Sequence, residues 1–176
     1  TALANGPVTS NPRQTEQDKD GFYNRKLYGG SLKMTYSLND TTDIVSVTGY
    51  RESHHHTQID ADGTPDRLLE FTDNNADIKQ LSEELRMTGE AGNLKYIAGL
   101  YYLYVKYGKI ETLYEAGAPT SLAELATGGV PETEALGQTI TTRSYAGYAQ
   151  GTYSFTDALR LTAGVRYTWE KKSGST

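Results

Sequence analysis

Cysteine is absent from these 176 residues, which excludes a disulfide framework, a cysteine-ligated zinc site and thiol chemistry. Long apolar runs are missing as well. The longest, Tyr96 to Val105, has ten residues, against the ~20 that a membrane-spanning helix requires. Positive charge is not in excess: 17 basic residues face 22 acidic ones, a net charge of −5, so no nucleic-acid partner is expected. Phenylalanine (3) and tryptophan (1) are scarce, whereas tyrosine (14) and glycine (18) are plentiful. That bias favours twisted strands, turns and surfaces with one wet and one apolar end. A mean hydropathy of −0.60 resembles that of a soluble protein.

The clearest pattern lies near the C-terminus. Leu159, Leu161, Ala163, Val165, Tyr167 and Trp169 alternate with Arg160, Thr162, Gly164, Arg166, Thr168 and Glu170, the period of a strand with one apolar and one polar face. Tyr145, Gly147, Ala149, Gly151, Tyr153 and Phe155 alternate likewise, and Thr156-Asp157-Ala158 joins the two runs as a hairpin. A second hairpin links Tyr28–Leu38 to Ile44–Arg51, and a third links Ile78–Gly89 to Leu94–Tyr107.

The expected fold is all-β, an antiparallel up-and-down transmembrane β-barrel, partial, with about six strands in three hairpins. Strands of 10–14 residues exceed the usual five or six and suffice to cross a bilayer at a tilt. The connections between hairpins, Glu52 to Asp77 and Gly108 to Gln138, are expected to be long loops. Short turns at one end and long loops at the other form the outer-membrane barrel pattern. Those two stretches carry −6 and −4, leaving +5 on the remainder, so the loops should disfavour anionic partners. Residues 1–25 are read as a loop or linker, 26–172 as the partial barrel and 173–176 as a frayed end. The chain opens on Thr1 without a leader, which reads as a processed or excised piece. Glu83 shares the apolar phase with Leu81 and Leu85, so a bulge or a local change of phase is expected there.

Gln80–Gly89, Leu94–Tyr102, Ser144–Tyr153 and Leu161–Tyr167 resemble barrel strands of TonB-dependent outer-membrane receptors, and Ile59–Pro65 resembles a loop of that family. The resemblance covers about residues 26 to 172 and rests on order and spacing, since no single motif is diagnostic. It implies a 22-stranded barrel plugged by an N-terminal domain. Such a barrel would sit in the outer membrane of a Gram-negative bacterium, with outer-membrane lipid, the plug and the TonB complex as partners. It would import ferric siderophores, cobalamin or carbohydrates. Plug, TonB box and terminal aromatic are not found, and six strands fall short of the roughly eight of the smallest barrels. A receptor fragment that would not transport alone is therefore expected. The alternatives are a complete small outer-membrane barrel with an adhesive or structural role, or a soluble β-sandwich binding module.

Few side chains stand out as sites. His54, His56, Asp60 and Asp62 form the candidate ligand contact on an external loop, imidazole and carboxylate being suitable metal ligands. Their spacing fixes no coordination geometry, so a solvated strand end running into an acidic loop is the favoured reading of them. Asp60-Ala-Asp-Gly63 opens like a calcium loop but lacks the later carboxylates. Ser121-Leu-Ala-Glu124 reads as a capping box over a short helical turn. Arg86, Arg143, Arg160 and Arg166 are assigned to the lumen-facing phase as candidate substrate or plug contacts, or as rungs of an ordinary ladder with Glu84 and Glu170. No catalytic constellation appears, so neither an enzyme, a metal site nor a cofactor is expected.

Overall fold

The computed structural model describes residues 17, 19–61, 63, 69–116 and 131–176. Six strands follow in chain order: β1 (Phe22–Asn39), β2 (Thr42–Asp60), β3 (Leu69–Ala91), β4 (Leu94–Ala116), β5 (Pro131–Ser154) and β6 (Arg160–Ser175). They form one antiparallel sheet in the order β1 to β6, so all three expected hairpins are present and neighbouring hairpins pair as well. The first strand starts at Phe22, ahead of the boundary expected at residue 26. The last runs into the stretch expected to fray, because Ser175 still pairs with Thr139.

The strands are longer than their sequence patterns. β3 and β4 each have 23 residues and β5 has 24, about 75–80 Å of chain at ~3.4 Å per residue. The expected loops Glu52–Asp77 and Gly108–Gln138 are therefore corrected. Most of each is paired strand, and only residues 61–68 and 117–130 lie between elements. The Ser121–Glu124 capping box falls outside the described residues. Pairing outlasts the amphipathic pattern because the backbone ladder needs only a partner strand, whereas alternation is imposed by an apolar surrounding on one side.

At the other end the turns are tight. Gly92 (φ 58°) supplies the left-handed residue that a short hairpin turn demands. In the first turn Asn39 Oδ1 accepts the Thr41 N–H at 3.0 Å, and in the last the Leu159 N–H donates to Thr156 Oγ1 at 3.0 Å.

The register divides the side chains between two faces. One face carries Leu32, Met34, Tyr36, Ile44, Leu85, Met87, Leu100, Tyr145, Val165, Tyr167 and Trp169. All of these but the half-buried Ile44 remain open, Leu100 being 65% exposed and Val165 71%. The other face carries Val45, Ser53, Arg86, Ser144, Ala146 and Arg166, of which Val45, Ser53, Ser144 and Ala146 are buried. Along β3 from Asp73 to Leu81, exposed and half-buried residues alternate strictly. Side chains crowd on the concave side of a curved sheet, so the polar face is concave and the apolar face convex. That is the curvature of a barrel wall with a wet interior and an apolar exterior. Among the described residues there is one sheet, with no second sheet over the apolar face.

Glu83 is on the convex face without any bulge, since the β2–β3 register shifts only near Thr57 and Ile59 and the β3–β4 register only near Phe71 and Asp73. The expected irregularity is corrected by the partner strand. Ser46 Oγ donates to Glu83 Oε1 at 2.8 Å and Thr48 Oγ1 to Glu83 Oε2 at 2.5 Å. Both carboxylate oxygens are satisfied, which offsets much of the cost of a charge on an apolar face.

Candidate functional site

The concave face holds the first cluster. Arg86 Nη1 lies 3.3 Å from Glu84 Oε2, and Tyr148 Oη donates to Glu84 Oε1. Tyr148 can lie flat across the sheet because its cross-strand partner is Gly99. A Cβ at Gly99 would fall 2.7 Å from the Tyr148 hydroxyl. Arg166 sits between the rings of Tyr101 and Tyr148, 5.7 and 5.9 Å from their centroids, and donates to Thr168 Oγ1 at 3.2 Å. Four strands thus supply a layered set of carboxylate, guanidinium and phenol groups, the kind of wet wall that holds polar solutes or a polar domain.

The four arginines do not share that face. Arg86, Arg160 and Arg166 are concave-side residues, as their common phase requires. Arg143 is not: it pairs with Tyr104 and Lys171 in the phase of Tyr145 and Trp169. Its guanidinium stacks over Tyr104 at 5.7 Å on the convex side. Grouping it with the lumen residues is corrected by the same period-two rule that places the others.

The histidines lie on the arm of β2 beyond the apolar band. His54 Nδ1 is 2.5 Å from Asp77 Oδ1, and its Nε2 is 3.4 Å from Glu52 Oε1. His56 Nε2 is 2.9 Å from Asp73 Oδ1. Each imidazole also meets an aromatic ring of β1, His54 against Tyr28, His55 against Tyr23 and His56 against Phe22. His55 faces the concave side, where its Nδ1 is hydrogen-bonded to Tyr23 Oη at 2.6 Å and its Nε2 to Ser53 Oγ at 2.8 Å. Asp60 is not brought to His54 or His56. It is buried at the end of β2 and accepts the Gly63 N–H at 3.0 Å, a local turn bond. Asp62 falls outside the described residues.

Sequence reasoning missed the carboxylates that do meet the imidazoles, Glu52, Asp73 and Asp77. Two of them lie across the strand pair, and only the register reveals them. Among the described residues no group of three or more His, Asp or Glu side chains could hold a metal ion.

One step outward from the Tyr50–Leu81 pair on the same face, Glu52 Oε1 lies 3.0 Å from Lys79 Nζ. The Tyr50 hydroxyl and then Lys79 hold the Glu52 carboxyl below its ordinary range. The Glu52 carboxylate in turn raises Lys79.

These features define a class: a section of transmembrane barrel wall, lipid on its convex side and water on its concave side. Comparison with known proteins agrees. The family model described as TonB dependent receptor-like, beta-barrel, matches residues 1–176. The chain belongs to that family and is part of such a barrel. These receptors sit in the Gram-negative outer membrane and are transporters, not enzymes. No curated protein sequence matches the chain significantly. Among solved structures, the siderophore receptor PiuA from Acinetobacter baumannii is similar, with 15% identity and a TM-score of 0.46 over 88% of this chain. The match takes in 30% of that receptor, so the present chain spans about a third of its length.

Proposed function

We propose that this sheet is one sector of the wall of a receptor that imports a scarce nutrient such as a ferric siderophore, cobalamin or a carbohydrate. The observation that supports it is the concave cluster of Glu84, Arg86, Tyr101, Tyr148 and Arg166 within the membrane-crossing part of a family member's barrel. Arg86, Arg160 and Arg166 there contact the passing solute or a plug domain, and TonB acts through a part of the receptor outside this sheet. Six strands do not enclose a lumen, so the sheet alone does not transport.

The test is uptake by the full-length receptor in its outer membrane, with radiolabelled ferric siderophores, cobalamin and oligosaccharides offered in turn. Uptake of one class is expected, and it should vanish when either the receptor or TonB is deleted. Uptake of every class unchanged by loss of the receptor would overturn the reading.

A further inference from the structure

Glu83 puts a carboxylate on the lipid side of the wall. On its own strand it is flanked by Leu85 and Leu81 on the convex face, so it stands inside the apolar band. Ser46 and Thr48 each donate one hydrogen bond to it, but an ionised carboxylate accepts about four. Neither hydroxyl supplies a counter-charge, and hydrocarbon offers no further donor. In the same register line Glu83 pairs with Tyr102, and Tyr102 with Tyr145. The two phenol rings lie 5.0 Å apart. Among the described residues neither phenol hydroxyl has an acceptor, unlike those of Tyr23, Tyr50, Tyr96 and Tyr148. A hollow of about 380 Å³ opens beside them, lined by Glu83, Leu100, Tyr102, Tyr145, Gly147 and Trp169.

A second layer further out repeats the arrangement. Asp77 on β3 is 60% exposed and meets the His54 imidazole, while Lys79 on that strand is taken up by Glu52. On β4 and β5 the same face presents Lys106 and Arg143. Among the described residues no carboxylate pairs with either. Arg143 leans on the Tyr104 ring, which orients its guanidinium without neutralising it. Both layers thus have one polarity: an acid on β3, a donor or cation on β4 and β5. Their heights also match. Glu83 stands about eight residues from the turn end of its strand at Ala91, Tyr102 about eight from Leu94 and Tyr145 about nine from Ser154. For Asp77, Lys106 and Arg143 the same counts are about fourteen, twelve and eleven, a step that long basic side chains bridge. A twofold axis along the membrane normal, between β3 and β4, exchanges the two sides of each layer. The surface is therefore complementary to itself.

We propose that β3, β4 and β5 form the contact between two copies of the receptor. Glu83 of one copy accepts hydrogen bonds from Tyr102 and Tyr145 of the other, and Asp77 faces Lys106 and Arg143. Three strands ~4.8 Å apart over about fourteen residues offer each copy roughly 700 Å², close to the ~800 Å² per partner of a standard interface. The rest of the convex face stays with lipid, and nothing in this contact depends on which solute passes the lumen.

The test uses the full-length receptor in its outer membrane, with one cysteine introduced into this sheet, which has none of its own, and any other cysteine replaced by serine. Leu81→Cys, beside the axis, should be joined to its own copy by a short bifunctional maleimide, giving a species of twice the receptor's mass. Val165→Cys, on the same face and 71% exposed, should not. In the Leu81→Cys background, Asp77→Lys should lower the cross-linked fraction about tenfold or more, because it sets like charges together. Lys106→Asp with Arg143→Asp should do the same, and all three together should restore it. Heat-dependent gel migration checks each variant for folding. Where a charge reversal fails that check, Tyr102→Phe with Tyr145→Phe, which removes only the donors, is read instead, with an expected loss of about tenfold. A species of single receptor mass, the mark of a face covered by lipid alone, would overturn the assignment. So would a product joined to a different protein, equal cross-linking at Leu81 and Val165, or a fraction unmoved by the folded charge-reversal or phenol variants.

Discussion

Each long strand crosses two regions, and β4 shows the difference most plainly. From Leu94 to Tyr104 its outward residues are Leu94, Tyr96, Ala98, Leu100, Tyr102 and Tyr104; from Lys106 to Ile110 they are Lys106, Gly108 and Ile110, mixed in kind. The hydrogen-bonded ladder does not change between the two, since β3 pairs with β4 from Ala91–Leu94 to Leu69–Glu115 with one shift near Phe71 and Asp73. What changes is the solvent. Inside the band one face meets lipid, which tolerates no charge without compensation, so alternation is enforced. Beyond it both faces meet water, and the strand persists on pairing alone.

The sharpest way to break that comparison is to place one charge at two sites of equal exposure. Leu100 and Ile110 lie on the same strand and the same face, 65% and 60% exposed. Leu100→Arg puts a guanidinium near the middle of the lipid band and should cost about 2–4 kcal/mol. Ile110→Arg, in the arm, should change stability by less than about 0.5 kcal/mol. Urea titrations of the full-length receptor in lipid vesicles give both values. Equal costs would mean that the band boundary does not fall between Leu100 and Ile110.

Glycine offers a second, smaller contrast. A Cβ at Gly99 would meet Tyr148 Oη at 2.7 Å and Arg86 Cβ at 3.0 Å, whereas at Gly108 nothing lies within 4 Å. Gly99→Ala should therefore push Tyr148 off Glu84 and cost about 1–3 kcal/mol, and Gly108→Ala should be nearly neutral. The same titration reads both. A neutral Gly99→Ala would show that Tyr148 does not lie across the sheet there.

This contrast also explains what could be read in advance. The six strands, their three hairpins and the concave position of Arg86, Arg160 and Arg166 follow from period two, which lipid writes into the sequence. Arg143 was within reach of the same rule, because its odd number matches Tyr145; assigning it by charge instead of by phase misplaced it. The arms were not legible. Glu52-Ser-His-His-His-Thr57 and Asp73-Asn-Asn-Ala-Asp77 carry no alternation, since neither face there must be apolar. The partners of His54 and His56 depend on a cross-strand register that composition does not encode.

The smallest expected effect is at the boundary itself, where Glu52 and Lys79 pair across β2 and β3 next to Tyr50 and Leu81. The carboxyl of Glu52 is lowered from 4.5, by the Tyr50 hydroxyl first and Lys79 second. Its contribution to stability is therefore fully present above pH 4.5 and is lost as pH falls through the lowered folded value. Lys79 is raised from 10.5 by Glu52, so its contribution is complete below pH 10.5 and is lost as pH rises through the raised value. The pair should thus stabilise the sheet across the whole interval between those limits and weaken on both sides. Because Lys79 is more than half exposed, salt should screen the effect. Stability of wild type minus that of Glu52→Gln, measured against pH at low salt, should be a plateau that declines at acid pH and shrinks as salt is added. A difference that instead grew as pH fell below 4.5 would mean that the carboxylate is not held by Tyr50 and Lys79.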